Sequence, residues 1–184
     1  MNSKNKDNVI LVGMPGAGKS TVGVILAKLL GKSFIDSDIV IQQRTRKLLK
    51  DLIEEYGMDG FIELEGKINS EITDNDCVVA TGGSAVMNAR AMQHFKNTGI
   101  IVYLDVAYDD LSQRLGNLKE RGVVCREGQT LSDIYKERVS LYEKYADITI
   151  CENTDGDTAR KTAESAADAI SHWNIQQYNC CKNQ

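Results

Sequence analysis

Eight residues, Gly13-Met14-Pro15-Gly16-Ala17-Gly18-Lys19-Ser20, restrict the folds open to this chain, because an apolar strand-like run, Val9 to Val12, leads into them and an amphipathic helix-like run follows. The spacing G-x-x-x-x-G-K-[ST] is that of a P-loop. Glycines at such positions let backbone N–H groups curl around phosphate oxygens, and the helix that begins there turns its positive dipole end toward the same anion. The strand before and the helix after are the context that separates this motif from a chance Gly-rich turn. Gly13, Gly16, Ala17, Gly18, Lys19, Ser20 and Thr21 are therefore the expected nucleotide-binding set. Within it, Lys19 reaches the β- and γ-phosphates and takes part in catalysis, while the Ser20 hydroxyl ligates Mg²⁺.

Apolar periodicity along the rest of the chain alternates between short β-branched runs and longer helical ones. Strand-like runs cover Val9 to Gly13, Ser33 to Asp36, Cys77 to Thr81, Ile100 to Leu104 and Ile148 to Cys151. Helix-like runs cover Thr21 to Leu30, Ile39 to Lys47, Leu48 to Tyr56, Gly60 to Thr73, Ala89 to Asn97, Tyr108 to Leu115, Leu131 to Tyr145 and Thr158 to His172. That alternation predicts an α/β fold of three layers, with a central parallel sheet covered by helices on both faces. Ligands gather at the carboxyl ends of such strands. Three polar clusters lie there: the P-loop, Asp36-Ser37-Asp38, and Thr81-Gly82-Gly83-Ser84. From Gly116 to Gly128 the chain turns Gly-rich and charged, with Lys119, Arg121 and Arg126, as suits a mobile lid over phosphates. The expected organisation is a polar tail over 1–8, one domain over 9–173 with its lid at about 116–128, and a second tail over 174–184.

Composition narrows the functions. A 42% hydrophobic and 26% charged chain is an ordinary globular one. No apolar run approaches the about 20 residues of a membrane span, and Met1 to Asn8 lacks the apolar core of a signal peptide, so the expected location is the cytoplasm. Five cysteines without metal-ligand spacing are expected to stay thiols. A net charge of −4 argues against a nucleic-acid surface. The expected partners are ATP and a small hydroxylated acceptor, with no nucleic acid and no membrane, bound by a monomer.

Over residues 8 to 172 the chain resembles the shikimate kinases, within the nucleoside-monophosphate-kinase-like P-loop kinase fold. The residues that carry the likeness are the P-loop, Phe34-Ile35-Asp36-Ser37-Asp38 with Gln43-Arg44-Thr45, and Gly60-Phe61 with Glu65. To these add Gly82-Gly83, Arg114, Arg121 and the run Arg138-Val139-Ser140-Leu141-Tyr142. The resemblance implies a kinase of aromatic amino acid biosynthesis that phosphorylates shikimate with ATP and Mg²⁺. It further implies that Asp36 helps hold Mg²⁺ through water and that Asp38 contacts the acceptor hydroxyl as general base. Two carboxylates two residues apart after a strand can face cation and substrate separately; capping of the next helix is a compatible role. Arg121 is implied to come down with the lid onto the transferring phosphate, and Arg114 to lie against adenine unless it is a solvated helix arginine. Arg138 is implied to grip the substrate carboxylate, a task suited to its planar fork, with a surface salt bridge as the alternative. Gly82 and Gly83 would let backbone approach the substrate, or serve only a tight turn.

Three departures from the family pattern stand out. Ile62 replaces the arginine that usually follows the phenylalanine and also holds the substrate carboxylate; Ser84 replaces the third glycine of the turn; Gly122 replaces a proline after the lid arginine. The first two changes fall on the expected acceptor pocket, whereas the nucleotide half is intact. Losing one of two charged donors to a carboxylate costs about 1.5–3 kcal/mol, roughly one to two powers of ten in affinity, unless another residue such as Lys67 substitutes. A different small hydroxylated metabolite is thus the alternative acceptor. A nucleotide-binding regulator without turnover is a second alternative, opposed by the presence of a base and a lid arginine. No N-K-x-D segment marks a GTPase.

Overall fold

The β-branched runs form five parallel strands in the computed structural model, which describes residues 7–116, 123–126, 128–152 and 158–182, with side chains as far as residue 176. They are β1 (Asn8–Val12), β2 (Ser33–Asp36), β3 (Cys77–Ala80), β4 (Gly99–Asp105) and β5 (Ile148–Cys151), in the spatial order β2-β3-β1-β4-β5. Ile10 in the central strand lies opposite Val79 on one side and Ile101 on the other. Side chains alternate across the pleat, so successive residues of β1 feed two cores. Ile10 and Val12 join Val79, Ile101 and Tyr103 on one face, and Val9 and Leu11 join Val78, Val102 and Leu104 on the other. Burial of each such side chain contributes about 1.5–3 kcal/mol.

Among the described residues seven α-helices flank the sheet: α1 (Lys19–Leu30), α2 (Ser37–Thr45), α3 (Leu49–Ser70), α4 (Ala89–Thr98), α5 (Tyr108–Leu115), α6 (Leu131–Tyr145) and α7 (Thr158–Lys182). On one face α7 sets Ala163, Ala166 and Ile170 against Val22, Leu26 and Ala27 of α1. Small side chains on α7 permit that close approach. On the other face α4, α5 and α6 bury Phe95, Leu111, Ile134 and Tyr142.

Element boundaries follow local chemistry. α2 starts two residues before its apolar run because the Asp36 carboxylate caps it, accepting from the Asp38 and Ile39 amides at 3.0 and 3.4 Å. Two helical runs, Leu48 to Tyr56 and Gly60 to Thr73, become the single kinked α3, whose break is Gly57 at φ 67°. A side chain there would be strained. α7 continues past Trp173 through residues expected to form a tail, since Asn174 to Lys182 contain neither Gly nor Pro to stop it. Among the described residues no helix is long and apolar enough to cross a membrane.

Candidate active site

The P-loop leaves β1 and folds back on its own lysine. Lys19 is buried, and its Nζ donates to the carbonyls of Gly13 at 2.8 Å and Met14 at 2.9 Å. Burial pushes its ammonium down to about 8 against the opposing pull of the Asp38 carboxylate. Ser20 Oγ donates to Asp36 Oδ2 at 2.7 Å, so the two expected Mg²⁺ residues meet. Gly16, Gly18, Lys19, Ser20 and Thr21 line one wall of a cavity of about 510 Å³. Gly13 and Ala17 do not line it. Gly13 packs against the Leu104 carbonyl and Ala17 is buried in the core, so both shape the loop from behind.

Asp38, Glu65, Gly82, Gly83, Ser84 and Arg138 line the facing wall. The Asp38 carboxyl is pushed up to about 6, first by burial and then by the neighbouring Asp36 charge, while Lys19 opposes the shift. It is thus ionised at neutral pH yet close to it, as a general base needs to be. Gly82 donates its N–H to Ser37 Oγ at 3.2 Å. A methyl at Gly82 would stand 2.2 Å from Glu65 Oε1 and 2.8 Å from Asp38 Oδ1, so both carboxylates face one spot and only glycine fits between them. The Gly83 carbonyl accepts from Arg138 Nη1 at 3.1 Å and from the Tyr142 hydroxyl at 2.6 Å. Arg138 is fully buried on α6; its Nη2 donates to the Val124 carbonyl and its Nε has no partner.

Glu65 is the residue that sequence reasoning left without a role. It is fully buried on α3, and neither carboxyl oxygen has a hydrogen-bond partner. Burial pushes the acid up to about 7; the Ser84 hydroxyl alongside tempers the shift without reaching hydrogen-bonding geometry. The signal in the sequence was an acid in an apolar stripe, one turn after Phe61 and one before Ile68 and Asn69, all buried. Tyr142, one turn after Arg138, is a second residue of this kind.

Other expectations are corrected. Ile62 does not line the cavity; it turns into an apolar cluster with Ile41, Leu52 and Phe61, because a buried aliphatic side chain gains more there than in a polar pocket. Ser84 does line it. Lys67 is exposed and absent from the lining, so it is no substitute for an arginine at position 62. Arg114 does not line the cavity either: its guanidinium forks onto Glu152 at 3.1 and 2.7 Å. Arg126 reaches Glu137 at 3.4 Å. Arg121, Lys119 and Gly122 lie outside the described residues, whereas Val123 and Val124 beyond them are buried against the cavity.

The sequence model of the shikimate kinase family matches residues 15–171. The chain is 37% identical over 169 residues to the shikimate kinase of Pasteurella multocida, covering 90% of this chain and 95% of that one. It is 37% identical over 173 residues to the shikimate kinase of Haemophilus influenzae (strain PittEE), covering 92% and 95%. Among solved structures it is similar to a shikimate kinase from Acinetobacter baumannii in complex with shikimate, with a TM-score of 0.81 and 35% identity over 92% of this chain and 95% of that one.

Proposed function

The chain belongs to the shikimate kinase family, and from that premise we propose that it transfers the γ-phosphoryl group of ATP to a hydroxyl of shikimate, giving shikimate 3-phosphate. The observation that carries this reading is that one cavity is lined both by the phosphate-binding loop and by Asp38, Gly82, Gly83 and Arg138. Donor and acceptor can therefore meet in one place.

In this reading the P-loop amides hold the nucleotide phosphates, and Lys19 neutralises charge on the β- and γ-oxygens. Asp38 takes the proton of the acceptor hydroxyl as its oxygen bonds to the γ-phosphorus, and the bond to the bridging oxygen breaks to release ADP. Ser20 and Asp36, already joined by a hydrogen bond, suit Mg²⁺, a hard cation that takes one or two protein oxygens and keeps several waters. When bound it neutralises phosphate charge. Arg138 offers its unpartnered Nε to the acceptor carboxylate, with Gly82 and Gly83 as the floor. Arg121 supplies a further positive charge to the transferring group, a role drawn from the family likeness alone. We place this activity in a cytoplasmic monomer without nucleic-acid or membrane partners, in keeping with a net charge of −4.

The unpaired Glu65 favours a second reading, in which the acceptor is another small hydroxylated metabolite. Coupled ADP release against a panel of hydroxylated acids and polyols tests both. Shikimate-dependent release at the highest kcat/KM supports the first reading; release with another polyol and none with shikimate replaces it with the second.

A further inference from the structure

The cations that line the cavity among the described residues are Lys19, Lys50 and Arg138. Lys19 is held by the P-loop carbonyls, and Lys50 is exposed. Arg138 is the fully buried cation of the three, and its Nε has no partner although Nη1 and Nη2 hold the Gly83 and Val124 carbonyls. A bound carboxylate there enters a pocket that already contains Asp38 and the two unpartnered oxygens of Glu65, which meet at Gly82. Among the described residues three carboxylates then face two buried cations, Arg138 and Lys19, and do not balance. One proton corrects this.

Building on the shikimate reading above, we propose that Glu65 binds the acceptor carboxylate as the neutral acid, donating its O–H where a second arginine is missing, so that acceptor binding takes up a proton from solvent. Glu65 is a carboxylate plus that proton in the complex and releases it when product leaves, so the overall phosphoryl transfer is unaltered. The groups acting on Glu65 are Asp38 of α2, which favours protonation, Lys19 of α1 and Arg138 of α6, which oppose it, and the Ser84 hydroxyl after β3. The Tyr142 phenol of α6 also faces it, and burial pushes that phenol up so that it stays neutral. With the free acid already at about 7, a neighbouring anion moves it further upward. Affinity is then greatest below about pH 7 and falls as Glu65 ionises, by up to about tenfold per pH unit.

The test is calorimetric titration of shikimate onto the full chain at pH 8, without nucleotide, in two buffers of different ionisation heat. Uptake of most of a proton per shikimate is expected. In steady-state assays the shikimate KM of the wild type should rise about tenfold from pH 7 to pH 8.5, whereas Glu65→Gln, which keeps shape and a donor but cannot ionise, should vary less than about threefold. Ile62→Arg should also flatten the profile: position 62 lies one turn before Glu65 on α3, so an arginine reaching out of the apolar cluster holds Glu65 ionised. No proton uptake by the wild type, or an equally steep profile in Glu65→Gln, overturns the inference and leaves shikimate as the acceptor. Absence of shikimate binding and turnover in wild type and Ile62→Arg across pH 6 to 9 overturns the acceptor reading, and this inference with it.

Discussion

The phosphate-binding wall of the cavity is one turn of backbone, and the acceptor wall is assembled mainly from side chains of separate elements. The first is one continuous turn, Gly13 to Ser20, whose geometry is fixed by glycines and by a lysine bonded to its own loop. The second draws Asp38 from α2, Glu65 from α3, Gly82 to Ser84 from the segment after β3, and Arg138 from α6. A backbone site varies little when single residues change, because N–H groups are common to all of them. A side-chain site is rewritten by one substitution.

The largest effect should separate the two walls outright. Asp38→Asn is expected to lower turnover by about two to four powers of ten, the range for a positioned general base, while ATP still raises the thermal midpoint. Lys19→Ala should remove most of the ATP-induced shift as well as turnover. If both variants lose the shift equally, the walls are not independent and the comparison breaks down.

Glu65 gives the next largest effect, in stability. Its folded acid sits near 7 and its ordinary value is 4.5, so the native state retains a proton that the unfolded chain gives up between those values. Stability from this group is therefore full below about 4.5 and falls by about 3 kcal/mol as pH rises through 7. Denaturant titrations of wild type and Glu65→Gln from pH 4.5 to 8 should diverge in that window and run parallel above it. Parallel curves throughout would mean that the carboxylate is solvated.

Arg138→Lys should raise the shikimate KM by about ten- to a hundredfold and leave the ATP KM within a few-fold, since an ammonium cannot hold the Gly83 and Val124 carbonyls and an acceptor carboxylate together. An equal change in both constants would show that α6 serves the nucleotide wall too. Smallest of all, Arg114→Ala should shift stability by no more than about 1 kcal/mol, because its pair with Glu152 is one-third exposed on the arginine side, and should leave the ATP KM within threefold.

The same contrast explains what could be read from the chain before its structure. The sheet was legible, since a parallel strand buried on both faces needs a run such as Val9-Ile10-Leu11-Val12, and α1 was legible from the motif that starts it. Asp38, Gly82, Gly83 and Arg138 arrive in one cavity as the family likeness implied. Orientation was not legible. Whether Ile62 points into the pocket or beneath it depends on the turn of α3 after its Gly57 kink, which no local pattern specifies. Whether Arg114 faces a base or Glu152 depends on a partner 38 residues away. Glu65 was visible as part of the family likeness and as an exception to its own stripe, but neither gave it a role.

The packing of α7 on α1 reaches beyond stability to the order in which the protein is made. α1 ends at Leu30 and α7 begins at Thr158, so a ribosome adding about 5–20 residues per second separates them by on the order of ten seconds. Through that interval the stripe of Val22, Leu26 and Ala27 has no Ala163, Ala166 or Ile170 to cover it. The helix that carries Lys19 and Ser20 is thus covered on its sheet-facing side alone, with the side that meets α7 still wet. Nascent chains are expected to capture nucleotide only after the late helix docks, which makes the earliest motif synthesised one of the last to become competent.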